Sequence, residues 1–121
     1  MKKVYICTPL KLHKFRQEAI SKTILENPGY FAFVPLTSDM GGPTLGAALD
    51  KRHLDLADEV WVFGPFGRDC AWEIGYALGL NKKVIVWITD DNREYLKTDW
   101  MLWCHPNCES REFNHNGGNV V

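Results

Sequence analysis

Asp58-Glu59-Val60-Trp61-Val62-Phe63-Gly64-Pro65-Phe66-Gly67-Arg68-Asp69-Cys70-Ala71-Trp72-Glu73-Ile74-Gly75-Tyr76-Ala77-Leu78-Gly79-Leu80, followed by Lys82-Lys83-Val84-Ile85-Val86-Trp87-Ile88, is the stretch on which the fold turns. Val60 to Phe63 is an unbroken apolar run behind an acidic lead-in, and Gly64 to Asp69 carries turn residues. Cys70 to Leu80 is long enough and apolar enough for a helix, and Val84 to Ile88 is a second apolar run. Strands that are apolar along their whole length, joined through a helix, belong to a parallel sheet covered on both faces.

The alternation continues outward from this unit. Residues 3–8 (Lys-Val-Tyr-Ile-Cys-Thr) read as a buried first strand, and Leu12 to Glu26 as a helix with Phe15, Ala19, Ile20 and Ile24 on one face. Asn27-Pro28-Gly29 stops that helix. Tyr30 to Pro35 reads as a second strand, Thr37 to Pro43 as a loop, and Thr44 to Ala57 as a second helix. Arg93 to Trp103 has the pattern of one more helix, and the tail from Cys104 to Val121 reads as polar loop. Right-handed crossovers then give an α/β architecture of three layers: a flavodoxin-like or Rossmann-like doubly wound parallel sheet of about five strands. With 121 residues and no repeat, linker or low-complexity segment, one domain over residues 1–121 is expected.

Fourteen basic against fifteen acidic residues leave a net charge of −1, which gives no bulk attraction for nucleic-acid polymers or membranes. The apolar run after Lys2-Lys3 ends at Pro9, too short for a signal-peptide core. No run approaches the roughly 18 apolar residues that span a bilayer. A cytoplasmic location is expected, with the cysteines as reduced thiols. Cys7 falls in the first strand, Cys70 opens the apolar helix, and Cys104, His105 and Cys108 match no common zinc spacing. The expectation is therefore no metal and no cofactor.

Glu73 is the only charged residue between Cys70 and Leu80. The stretch reads as a helix apolar on every side, hence buried. No lysine or arginine follows within a turn, and Arg68 is off the contact spacing. An unpaired carboxylate taken from water costs several kcal/mol, so a functional use competes with the alternative of a rim glutamate bonded to backbone. In open parallel sheets ligands bind beyond the carboxyl ends of the strands. Thr8-Pro9-Leu10, the turn from Gly64 to Asp69, and the start of the Glu73 helix all converge there. Asp69 and Glu73 are four apart and share a helix face, although Asp69 equally suits a helix N-cap. Close carboxylates push their pKa values apart, which separates acid from base duties.

Gly64-Pro65-Phe66-Gly67 lacks the lysine of a P-loop and the glycine spacing of a dinucleotide site. Neither a nucleophile elbow nor a His-Glu-x-x-His helix is present. Paired-carboxylate chemistry without a cofactor remains, and glycosyl transfer is its main example.

Tyr5-Ile6-Cys7-Thr8-Pro9, Asp50, Asp58-Glu59-Val60-Trp61-Val62 and Trp72-Glu73-Ile74-Gly75-Tyr76-Ala77-Leu78 together resemble the nucleoside 2-deoxyribosyltransferase family. The Glu-Ile-Gly-Tyr-Ala-Leu block is the most specific part. The resemblance spans most of the chain, with 27–45 shortened, and Asn116-Gly117-Gly118-Asn119-Val120-Val121 is similar to the family's closing segment. It implies that Glu73 attacks the anomeric carbon of a 2-deoxyribonucleoside to give a covalent glycosyl-enzyme. Tyr5 would orient the carboxylate, and Asp50 would contact the base and protonate its leaving nitrogen. A free nucleobase or water would then take the sugar with net retention. The family's second base-contacting aspartate lies six residues before the glutamate, where this chain has Gly67; the nearest carboxylate is Asp69. The resemblance also implies a homo-oligomer in which an asparagine and the terminal carboxylate of a neighbour complete each site, with Asn107 and Val121 as counterparts. Trp61, Trp72 and Trp87 suit packing better than base stacking, and Trp72, beside the glutamate, is the one to test as a stacking surface for the substrate.

Two other functions fit part of the pattern. Lys11, His13, Lys14 and Arg16 stand where a phosphate would sit at a helix start, as in hydrolysis of deoxynucleoside 5′-monophosphates, although a solvated charge run has the same look. A non-catalytic nucleotide-binding module on the same fold is the alternative of another class.

Overall fold

Five strands, β1 (Lys2–Cys7), β2 (Tyr30–Phe33), β3 (Glu59–Phe63), β4 (Lys83–Ile88) and β5 (Cys108–Glu112), form one parallel sheet in the order β2-β1-β3-β4-β5. The helices are α1 (His13–Glu26), α2 (Pro43–Leu56), α3 (Arg68–Gly79) and the short α4 (Arg93–Leu96). This computed structural model describes residues 1–8, 13–33, 43–64, 66–96 and 105–113. The strand order is that of a flavodoxin-like sheet, whose direction of winding reverses between β1 and β3. Tyr5 lies at that reversal, in register with Phe33 on one side and Val60 on the other.

Strand alternation sorts the core into two layers. Val4 and Ile6 point to one face, with Ala19 of α1, Trp61, Phe63, Ile85, Trp87 and Phe113. Tyr5 and Cys7 point to the other, with Leu54 of α2, Cys70, Ile74, Ala77 and Leu78 of α3, and Val60, Val62, Val84 and Val86. Three layers result, as the alternating apolar runs imply.

Two local devices set the carboxyl edge. Gly64 leaves β3 with φ 69°, a left-handed conformation that a glycine adopts without a Cβ penalty. Beside it, the buried Asn92 accepts from Thr89 N–H at 2.8 Å and donates to the carbonyls of Gly64 (3.3 Å) and Trp87 (3.1 Å), tying the ends of β3 and β4 together. At the far end of α3, Asn81 takes φ 60°. Its N–H bonds Leu78 O at 2.9 Å while Lys82 N–H bonds Ala77 O at 3.0 Å, the paired closure of a Schellman motif.

Several sequence expectations are corrected. The tail is not all loop: Cys108-Glu109-Ser110-Arg111-Glu112 is the edge strand β5, held in part by Lys83–Glu109 (2.8 Å) and Arg93–Glu112 (2.5 Å) ion pairs. Helix α3 is not buried all round. Cys70, Ile74, Ala77 and Leu78 face the core, while Trp72 is 56% exposed and Gly75 faces outward. Its N-cap is Gly67 rather than Asp69, which lies in the first turn without capping. On α1, Ile24 is exposed, and the buried positions include Ala19, Lys22 and Thr23. Lys22 is tolerated inside because its ammonium pairs with Glu26 at 2.5 Å and lies 5.0 Å from the Trp87 ring and 4.9 Å from the Phe113 ring. Val34 and Pro35, the loop 37–42 and the helical pattern beyond Leu96 lie outside the described residues. Among the described residues no helix is long and apolar enough to cross a membrane.

Candidate active site

Tyr5 is the third residue after Lys2 on β1, the strand between β2 and β3, fully buried, and its hydroxyl crosses from β1 to α3 to donate to Glu73 Oε2. Glu73 sits on the sheet-facing side of α3, one turn after Cys70, and is half-buried. Its second oxygen, Oε1, lies 3.7 Å from Cys7 Sγ. The same sulfur is 3.8 Å from the Cys70 carbonyl, so the single S–H proton of Cys7 serves one acceptor or the other.

The electrostatics follow from burial. Loss of water raises Glu73 to about 7; the Tyr5 hydrogen bond works against this, and the Asp50 and Asp69 charges add to it. Burial first, then the Glu73 carboxylate, pushes the Tyr5 phenol far above its ordinary value, so Tyr5 stays a proton donor throughout the physiological range. Burial likewise pushes the Cys7 thiol well up. The site thus holds one carboxylate whose ionised form is a reactive base or nucleophile near neutral pH, gripped by a phenol that cannot itself ionise.

Asp50, on α2, is close enough for its charge to act on both Tyr5 and Glu73, so α2 and α3 bring it to the same cluster. Asp69 acts on Glu73 by charge from the exposed first turn of α3. Thr8 is buried at the end of β1, and its hydroxyl has no hydrogen-bond partner among the described residues. Gly67 lies at the mouth of the turn into α3. Trp72 does not face Glu73; its ring stacks on Tyr76 one turn on, at 5.1 Å and 7°. Asn107 is not brought into this cluster. It precedes β5, three strands from β1, where its amide donates to Asn81 O at 3.0 Å. Pro9, Leu10 and Val121 lie outside the described residues, as do the side chains of Lys11, His13, Lys14 and Arg16.

Sequence reasoning placed Cys7 and Cys70 apart and gave neither a role beside Glu73. The signal was present: Cys7 follows Tyr5 by two on a strand, and Cys70 precedes Glu73 by three on a helix, so each pair shares a face. Among the described residues, Cys7, Cys70 and Glu73 are the group whose donor atoms could jointly hold a metal, all lying within 4.8 Å of one another. A surface hollow of about 470 Å³ lined by Lys2, Asp58, Glu59, Asn81, Lys82 and Lys83 lies at the opposite, amino edge of the sheet. Its charges are spent on pairs such as Lys2–Glu59 (3.0 Å) and Lys83–Glu109, so it is not the chemical centre.

No protein-family model and no curated protein matches this chain. Among solved structures, a protein described as a 2-desoxiribosyltransferase from Leishmania mexicana matches with a TM-score of 0.61 over 100% of this chain and 79% of its own, at 18% identity. At that identity the likeness is one of fold alone. The chain therefore has the fold of a 2-deoxyribosyltransferase, with a phenol-held carboxylate at the reversal point of its sheet.

Proposed function

We propose that this protein transfers the 2-deoxyribosyl group between nucleobases through a glycosyl-glutamate intermediate. The observation that carries the reading is the Tyr5 hydroxyl bound to a half-buried Glu73 at the β1/β3 reversal, with Asp50 acting on both. A structural neighbour described as a 2-desoxiribosyltransferase supports it.

The steps balance without a cofactor. Ionised Glu73 forms a bond to C1′ as the bond from C1′ to the base nitrogen breaks. The bonding pair leaves with the base, which takes a proton from Asp50 in its protonated form. The Tyr5 hydroxyl holds the other carboxylate oxygen, so the attacking atom keeps its direction without rotating away. An incoming base then attacks C1′ from the vacated face, releases its proton to Asp50 and frees Glu73. Two inversions give net retention. Asp69, in the first turn of α3, assists at the base end in place of the family's second aspartate. Gly67, Thr8, Pro9 and Leu10 line the substrate. Asn107 and Val121 of a neighbouring copy in a homo-oligomer close the pocket, and residues 1–121 act as one domain. The partners are deoxynucleosides or deoxynucleotides and free bases, handled in the cytoplasm with no metal or other cofactor.

Hydrolysis of deoxynucleoside 5′-monophosphates is the second reading. It is favoured by the incomplete burial of Glu73, which leaves water a route to the intermediate. Thymidine, deoxyadenosine and their 5′-monophosphates, each incubated alone and with added adenine, test both. Exchanged nucleoside appearing only with adenine supports transfer; free base and free sugar without adenine support hydrolysis. Binding without turnover of any deoxynucleoside or its 5′-monophosphate leaves a sensing module and ends the enzymatic reading.

A further inference from the structure

Cys7 and Cys70 have no part in the transfer steps, yet both thiols crowd the carboxylate that does the work. Tyr5 and Cys7 project from β1 onto the same face, while Cys70 and Glu73 project from α3 to meet them. Both cysteines are buried and free. We propose that Cys7 Sγ, Cys70 Sγ and Glu73 Oε1 form a binding site for a thiophilic divalent cation such as Zn²⁺ or Cd²⁺, and that occupancy blocks Glu73.

The geometry is close to what such an ion needs. A tetrahedral ion with bonds of roughly 2.3 Å to sulfur and 2.0–2.2 Å to oxygen places its ligand atoms roughly 3.5 Å apart. Here the three donors lie within 4.8 Å of one another, and Cys7 Sγ is already 3.7 Å from Oε1. Closing the remaining distance takes small side-chain movements while strand and helix stay fixed. Two sulfurs and one oxygen favour zinc or cadmium over magnesium or calcium. On binding, each thiol releases its proton to solvent and becomes a thiolate, and water completes the fourth position. The carboxylate has a spare oxygen for the arrangement: Oε1 faces the sulfurs, whereas Oε2 keeps the Tyr5 hydrogen bond, which orients the ligand from behind. Cys108 lies on the edge strand β5, three strands from β1, and cannot join the site.

The blocking half of the proposal rests on Glu73 being the nucleophile; the binding half does not. Cd²⁺ is therefore titrated into the full chain and followed by the thiolate-to-cadmium ultraviolet charge-transfer band, a readout independent of activity. The expected result is one ion per chain, with affinity falling at least ~10-fold in Cys7→Ala, Cys70→Ala and Glu73→Gln, and unchanged in Cys104→Ala/Cys108→Ala. If a cysteine variant fails to fold, Glu73→Gln carries the test, because its surface area and shape match the native residue. No band, a band that persists unchanged in Glu73→Gln, or one lost only with Cys104 and Cys108 overturns the site. Base exchange with Zn²⁺, before and after a chelator, then tests the block. Reversible loss supports it, and full activity with the ion bound overturns it. A protein that binds the ion as described but turns over no nucleoside keeps the metal site and loses the transferase reading.

Discussion

On the α1 side of the sheet, Trp61 and Trp87 meet edge to face at 5.1 Å, Phe63 and Phe113 do so at 5.7 Å, and Val4 and Ile6 fill the space between strands and helix. On the α2–α3 side, one residue out of step along the same strands, stand Tyr5, Cys7 and the Glu73 carboxylate. The first face is apolar packing with one buried ammonium set against aromatic rings; the second is packing interrupted by a polar cluster whose charged member half faces solvent. The difference teaches how a small sheet carries a reactive group. A period of two lets β1 give one set of side chains wholly to stability and the other to chemistry, so neither compromises the other.

The sharpest way to break that division is to remove the carboxylate. Glu73→Ala is expected to lower base exchange at least ~10³-fold, since nucleophile deletions act on the chemical step itself, while the urea midpoint holds or rises. Near-normal exchange in that variant ends the account of this face. The complementary change is Trp61→Ala on the other face. Trp61 is 2% exposed, and truncation is expected to cost about 3–5 kcal/mol by urea unfolding. Turnover per folded molecule should hold; a selective loss of turnover without loss of stability would show that the two faces are coupled.

How far these features were legible in the sequence follows the same division. β3, α3 and β4 could be read because long apolar runs leave few alternatives, and Tyr5 and Cys7 fell on the buried first strand for the same reason. β5 could not. Cys108-Glu109-Ser110-Arg111-Glu112 pairs on one side only, and its charges bond Lys83 and Arg93, so no apolar pattern marks it. Lys22 escaped because its burial depends on rings contributed by Trp87 and Phe113, far away in sequence. Glu73 stood out as a lone charge, but its environment was overstated, because α3 exposes Trp72 and Gly75 where composition alone implied burial. Asp50 came only from the family resemblance; on its own it looked like any charged helix residue, and its charge reaches Glu73 only once α2 and α3 share a face of the sheet.

Glu73→Gln sharpens the comparison by keeping shape and removing charge. Glu73 is raised by burial from 4.5 to about 7. The folded state thus holds its proton more tightly than the unfolded chain does. This group's favourable contribution is fully present below pH 4.5, is lost as pH rises toward 7, and is absent above that. The glutamine variant should therefore match the native protein below pH 4.5 and exceed it by about 1–3 kcal/mol above pH 7, after discount for the partial exposure. Urea unfolding of both proteins across that range checks the sign. A native protein that gains on the variant as pH rises would mean the carboxylate is favoured in the fold.

Tyr5→Phe makes the smallest change and separates orientation from packing. The ring stays in the buried layer, so the fold should hold, while the hydrogen bond to Oε2 disappears. Exchange should fall roughly 10- to 100-fold, the range for loss of one well-placed donor at a reacting group. Because that bond lowers the Glu73 pKa against the larger effect of burial, its loss should move the acid limb of the rate profile upward from about 7. The phenylalanine variant then loses most at neutral pH and recovers part of its rate in more alkaline buffer, where Glu73 is ionised without help. A purely structural role for Tyr5 predicts the opposite pattern: an equal loss at every pH and an unmoved limb.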